Sequence, residues 1–263
     1  MEAWKGAILG VIQGLTEFLP VSSSGHLEIA SALFGMDEPN NLSFTVAVHL
    51  ATVLATITVF RKDIWKILSG VFKFRLNDQS VYFLNILVSM LPILLVGLLF
   101  KDEVESLFTG NLIFVGSMLI LTGALLAFSN FAKSGSSPIT PKRAFVIGLA
   151  QALAVLPGLS RSGATISAGL LQGVKKEEVA KFSFLMVIIP ILGISFLDIL
   201  KGGFVPSEVN SGVLTGFITA FFTGFFACKA MIKIVSKGKL IWFAIYCVLL
   251  GLTSIALGIF GCQ

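Results

Sequence analysis

Apolar residues dominate this chain, and the places where they stop carry the information. Six mainly apolar runs cover about residues 43–60, 82–100, 111–130, 182–200, 212–232 and 240–260. Each has the length, about 17–25 residues, that an α-helix needs to cross the hydrocarbon core of a bilayer. Two further runs are interrupted. Residues 3–16 are apolar until Glu17, Pro20 and Ser22-Ser23-Ser24, and the pattern resumes at 27–35. Residues 144–156 stop at Pro157-Gly158 and Ser160-Arg161-Ser162, and the pattern resumes at 164–173. Each half is too short to span. Backbone freed from helix survives at membrane depth only when protein buries it or it lines a watery cavity. The pattern predicts an all-α polytopic membrane protein with six spanning helices and two re-entrant helical hairpins.

The two hairpins are related. At an offset of 138 residues, Gln13 meets Gln151, Leu15 meets Leu153, and Ser22, Ser24 and Gly25 meet Ser160, Ser162 and Gly163. Ala30/Ala168, Leu33/Leu171 and Phe44/Phe182 follow. The single domain, 1–263, therefore reads as two repeats, about 1–131 and 140–263. Each has one hairpin and three spans, and an odd number of spans inverts the second repeat relative to the first. A binding site is expected at the repeat interface near the midplane.

Composition supports lipid as the solvent. Hydrophobic residues make up 56% of the chain and charged residues 13%, about half the usual charged fraction of a soluble domain. The net charge of +5 does not point to nucleic acid, because the basic residues sit in short clusters between apolar runs. Of 19 Lys and Arg, 15 fall in the connections 61–81, 131–143, 174–181 and 229–239, all on one side in this topology. Lys5, Lys101 and Lys201 fall on the other, and Arg161 belongs to a hairpin. The positive-inside rule then places both termini outside, with the first hairpin opening outward and the second inward. Cys228, Cys247 and Cys262 fit no metal spacing and read as small apolar residues. The first ten residues lack the basic region and cleavage pattern of a removable signal peptide.

Ionisable groups inside a membrane are costly and point to function. Here they are Glu17, His26 and Arg161, accompanied by the hydroxyls of Ser22, Ser23, Ser24, Ser160, Ser162 and Thr165. Ser23 and Arg161 share one repeat position, so meeting tips would face each other there. Arg presents a planar fork of donors suited to phosphate oxygens. Helices beginning near Leu27 and Ala164 would add N-terminal N–H groups that favour an anion. Glu17 and His26 could act as metal ligand, general base, or nucleophile and helper. Together they suit phosphoryl-group hydrolysis. Blander roles compete: packing or capping for Ser22, Ser24 and Ser162, a structural ion pair between Arg161 and Glu17, and a satisfied buried imidazole for His26. His49 could line the same cavity. Glu28 reads equally as a rim residue or a catalyst, and Pro92 and Pro190 are expected to kink spans.

The stretches QGLTEFLPVSSSGH (13–26) and LPGLSRSGAT (156–165) resemble the two signature regions of the undecaprenyl-diphosphate phosphatase family, also known for bacitracin resistance. The likeness extends over nearly the whole chain. It implies a cell-membrane enzyme that removes one phosphate from undecaprenyl diphosphate, giving the lipid carrier of cell-wall synthesis, with a divalent cation, Mg or Ca. By position, Gln13 stands at the family's first acidic-or-amide site and Glu17 at its second, so Gln13 supplies no second carboxylate. Ser23 matches the serine proposed as nucleophile and His26 the motif histidine. Ser160, Arg161 and Thr165 match phosphate-handling residues. The expected catalytic set is Glu17, Ser23, His26 and Arg161, with Gln13, Ser22, Ser24, Ser160, Ser162 and Thr165 binding substrate and Glu17 a metal ligand. The expected partners are the bilayer and undecaprenyl diphosphate, the site faces the external leaflet, and a homo-oligomer is compatible with the sequence. Two other classes compete: a transporter or flippase of a phosphorylated lipid, which shares inverted repeats and broken helices, and an intramembrane serine hydrolase built on Ser23 and His26.

Overall fold

A computed structural model of the chain describes residues 1–34, 42–108, 110–132, 135–200 and 210–260. Lys133, Lys201 and Cys262, used in the charge and cysteine readings, lie outside the described residues. The first hairpin is α1 (Ala3–Thr16) and α2 (Ser23–Leu33), followed by α3 (Leu42–Val59), α4 (Arg61–Val71), α5 (Asp78–Leu99), α6 (Lys101–Glu105) and α7 (Leu112–Asn130). The second hairpin is α8 (Pro141–Leu153) and α9 (Arg161–Leu171). After it come α10 (Lys176–Met186), α11 (Ile188–Leu200), α12 (Ser211–Ser236) and α13 (Ile241–Phe260).

Among the described residues, α5, α7, the α10–α11 pair (to Leu197), α12 and α13 are long and apolar enough to cross a membrane. A sixth span is reached if α3 and α4, bent by 77° at their junction, are taken together as one. The protein is thus an all-α polytopic membrane protein, with both expected hairpins formed. The run pattern makes 61–81 a plain connection, whereas α4 is an amphipathic helix. Trp65 and Leu68 are exposed on it, and Lys181 of α10 pairs with its Asp63. A helix of that character, set across a span, suits the membrane–water interface. The expected kink at Pro92 does not interrupt α5. Near Pro190 the chain does break, at Val187, which leaves Pro190 in the first turn of α11, where a missing N–H costs least.

Small residues set the helix spacing. Gly6, Gly10 and Gly14 form one face of α1, packed along Gly212, Gly216 and Gly224 of α12. A Cβ on Gly10 would sit 2.2 Å from Thr219 Oγ1 and 2.3 Å from the Gly216 carbonyl oxygen. Thr215 Oγ1 donates to the Ala3 carbonyl at 2.7 Å, and Thr219 Oγ1 to that of Ala7 at 3.1 Å. Gly148 of α8, at the 138-residue offset from Gly10, packs the same way on α5, where an added Cβ would lie 2.2 Å from the Ser89 carbonyl oxygen. Close backbone approach through small residues is the general solution for helices without a hydrophobic drive between them. Here it clamps each hairpin's first helix against a spanning helix.

Candidate active site

Both hairpin tips are built by the same local devices. Pro20 and Pro157 cannot continue a helix. Gly158 adopts φ +91°, open to glycine, and Ser22 adopts φ +69°. Ser22 Oγ then accepts from Gly25 N–H at 3.2 Å and caps α2, as Ser160 Oγ accepts from Gly163 N–H at 3.1 Å and caps α9. Each cap stands 3.3 Å from the hydroxyl two residues on, Ser24 or Ser162. These serines also join the two tips. Ser24 Oγ accepts from Gly158 N–H at 3.4 Å, and Ser162 Oγ donates to the Leu19 carbonyl at 3.1 Å.

Glu17 is the centre of the junction. Its Oε1 receives Arg161 Nη2 from the second hairpin. Its Oε2 accepts from Ser23 Oγ at 2.7 Å and from Gln13 Nε2 at 3.0 Å. Ser23 and Arg161, equivalent under the repeat offset, thus converge on one carboxylate. His49 of α3 lies within electrostatic reach of it. A cavity of about 800 Å³ opens beside the junction. Glu17, Ser22, Ser23, Ser24, Ser160, Arg161 and Ser162 line it, so the first turns of α2 and α9 both face into it. Apolar side chains also line it: Leu9, Phe44, Ile93, Val187, and Pro190, Ile191 and Ile194 of α11. Val104, Phe108 and Gly110, between α5 and α7, also line it.

Three expected site residues are not in the cavity lining. Gln13, fully buried, supports Glu17 from behind. Thr165 donates to the Arg161 carbonyl at 2.8 Å and meets Ser183 Oγ at 2.6 Å, holding the first turn of α9. His26 turns toward α13: Nδ1 contacts the Ser22 carbonyl at 2.7 Å and Nε2 the Tyr246 hydroxyl at 2.7 Å, the two rings stacked 5.6 Å apart. A carbonyl only accepts, so Nδ1 carries hydrogen, and in the neutral ring Nε2 accepts from Tyr246.

Three other lining residues emerge from the packing. His49 is in the wall, its Nδ1 bonded to the Thr45 carbonyl at 2.8 Å. Glu28 is buried in the wall, not at a rim. Gln151, the repeat counterpart of Gln13, is 1% exposed, and neither amide atom has a partner among the described residues. The counterpart of Glu17 is Val155, so Gln151 has no carboxylate to hold. The repeat offset alone is enough to single it out.

The fit of a divalent cation can be tested on these donors. Mg and Ca take oxygen ligands, and the cavity offers two carboxylates and several serine hydroxyls. Glu17 already accepts three hydrogen bonds, whereas both oxygens of Glu28 lack a partner among the described residues. No group of three His, Cys, Asp or Glu residues gathers among the described residues. A cation fits here as an ion shared with a phosphate ligand, not as one caged by protein.

The arrangement holds a hydroxyl against a carboxylate, next to a guanidinium and two helix N-termini, on the wall of an apolar cavity. Known proteins are similar to this chain over nearly its whole length. Undecaprenyl-diphosphatase of Bacteroides fragilis (strain YCH46) is 55% identical over 260 residues, covering 97% of this chain and 98% of its own. That of Parabacteroides distasonis is 55% identical over 261 residues, with the same coverage. That of the archaeon Methanococcus vannielii is 41% identical over 253 residues, covering 94% of this chain and 97% of its own. The family model described as "Bacitracin resistance protein BacA" matches residues 6–253, from within α1 to within α13. This chain belongs to the bacitracin resistance protein BacA family.

Proposed function

We propose that this protein hydrolyses undecaprenyl diphosphate to undecaprenyl phosphate and orthophosphate, returning the lipid carrier to cell-wall synthesis and conferring bacitracin resistance. The observation that carries the chemistry is the convergence of Ser23 and Arg161, from two hairpins, on Glu17. Full-length likeness to proteins named undecaprenyl-diphosphatase supports the lipid's identity.

In the free enzyme Glu17 neutralises Arg161. An entering diphosphate competes for the guanidinium fork, which binds phosphate oxygens in pairs. The N-terminal turns of α2 and α9 receive the remaining oxygens. Glu17, relieved of Arg161, is left hydrogen-bonded to Ser23 and becomes the better base. Ser23 Oγ attacks the terminal phosphorus as its proton passes to Glu17. The bond to the bridging oxygen breaks and undecaprenyl phosphate leaves. Glu17 hands that proton to the departing phosphate and is again a free base. Water then attacks the phosphoserine as Glu17 takes its proton, and Glu17 returns the proton to Ser23 Oγ as the serine–phosphorus bond breaks and orthophosphate departs. Gln13 and Thr165 act by position, one fixing Glu17 and the other the backbone of Arg161. His26, held by Tyr246, fixes the start of α2. A divalent cation, Mg or Ca, belongs to this reading and supplies charge neutralisation on the diphosphate oxygens when bound.

The architecture is read as two inverted repeats. The equivalent seats of Gly10 on α12 and Gly148 on α5 support that. Val104, Phe108 and Gly110 in the cavity lining favour a phosphate site open to the side opposite the basic connections, with both termini outside. The isoprenoid tail lies along the apolar α11 wall. The test is orthophosphate release from undecaprenyl diphosphate by the purified protein in detergent with Mg or Ca supplied. Orthophosphate and undecaprenyl phosphate in equal amounts are expected. A folded protein that moves the lipid between leaflets and releases nothing would be a flippase instead.

A further inference from the structure

The α2 helix turns one edge to the cavity: Ser24, Leu27, Glu28 and Ser31, spaced three and four apart, all line it. Glu28 is 6% exposed, and neither Oε1 nor Oε2 has a hydrogen-bond partner among the described residues. Glu17 is the reverse case, its two oxygens taken by Arg161, Ser23 and Gln13. Burying a carboxylate unpaired is expensive, and only a cation or a proton removes the expense.

Charge balance in the cavity favours the cation. Among the described lining residues the carboxylates are Glu17 and Glu28, and the only fixed positive charge is Arg161, already paired with Glu17. A diphosphate brings more negative charge than this guanidinium can balance. Its entry therefore calls for positive charge brought from solution, and an unsatisfied carboxylate on the wall is the place to hold it. Mg is commonly bound by one or two carboxylates plus substrate phosphates, with water completing the shell. One free carboxylate without a three-residue protein cage is that kind of site.

We propose that Glu28 is the carboxylate that anchors the divalent cation, in a shell completed by diphosphate oxygens and water. Both oxygens are buried in the free protein, so coordination requires the carboxylate to turn about its side-chain torsions toward the cavity. The assignment rests on the phosphatase reading and moves the metal ligand from Glu17 to Glu28. Cation and diphosphate then bind cooperatively, each raising the other's affinity by the same factor.

Electron paramagnetic resonance with Mn²⁺ as the probe tests this in detergent, with and without farnesyl methylenediphosphonate, a diphosphate mimic with no bridging oxygen to cleave. In the wild type the analogue should tighten Mn²⁺ binding about tenfold or more. Glu28→Gln, an isostere of the protonated acid, should abolish that coupling, and Glu28→Asp should keep part of it. Thermal unfolding checks that each variant is folded. If Glu28→Gln retains the full coupling, Glu28 is a buried neutral acid and the proposal fails. It fails equally if wild-type protein active with Mn²⁺ shows no coupling. A separate orthophosphate assay on the wild type distinguishes the two readings. Release without a Glu28 effect on Mn²⁺ overturns only this assignment, whereas no release overturns the phosphatase reading itself.

Discussion

Three donors from two hairpins meet on Glu17, and each bond has a different consequence. Ser23 Oγ, 2.7 Å from Oε2, is placed to lose its proton there, so Ser23→Ala should cut orthophosphate release by about 10³-fold or more. Glu17→Gln removes the base and should cost about 10²–10⁴-fold. Because the two act as one unit, the double variant should be no worse than the poorer single variant by more than a few-fold. Multiplying losses would mean that they act separately. Much of this is legible in sequence, because Glu17, Ser23 and Arg161 stand where apolar runs break. Facing is not. His26 and Ser23 are both in the first turn of α2, yet the imidazole turns to Tyr246 and the hydroxyl to the cavity. Glu28 and His49 sit inside apolar periodicity; the sequence offers His49 as a cavity residue and leaves Glu28 between rim and catalyst, and the packing places both in the cavity wall.

At the scale of elements, the hairpins hold their place because glycine lets α1 and α8 approach their neighbours. Gly10→Val would drive side-chain atoms into the Gly216 carbonyl and Thr219, in a seam where overpacking costs about 1–3 kcal/mol or more. Its melting temperature in detergent should fall. A methyl added to Gly97 of α5 would have nothing within 4 Å, so Gly97→Ala should be neutral or stabilise by up to about 1 kcal/mol. A drop for Gly97→Ala equal to that for Gly10→Val would contradict this account of the packing. The spans are readable from run length, and their ends fall within about six residues of the expected ones, the largest difference being the start of the α10–α11 span at Lys176 instead of 182. The α4 helix is not, because Arg61, Lys62 and Lys66 mix charge with Ile64, Trp65 and Ile67 in what reads as a connection. Its 77° turn from α3 is a tertiary outcome that run length does not encode.

The whole molecule joins two halves of one site from opposite ends of the sequence. The proposed orientation rests on the basic connections: a cysteine introduced at Val104 in a cysteine-free background should be labelled from outside intact cells, and one at Ser236 should not. The reverse pattern would invert the topology. On the proposed mechanism neither hairpin suffices, since the first supplies Ser23 and Glu17 and the second Arg161. The most direct measurement is therefore orthophosphate release from undecaprenyl diphosphate by Arg161→Ala beside wild type in detergent, with Arg161→Lys as a control and thermal unfolding to confirm the fold. Loss of a preorganised donor of this kind costs about 10²–10³-fold, and Arg161→Lys should recover only part of it, since a lysine cannot reproduce the fork. Wild-type rates from a folded Arg161→Ala protein would remove the second hairpin from the site and contradict the account.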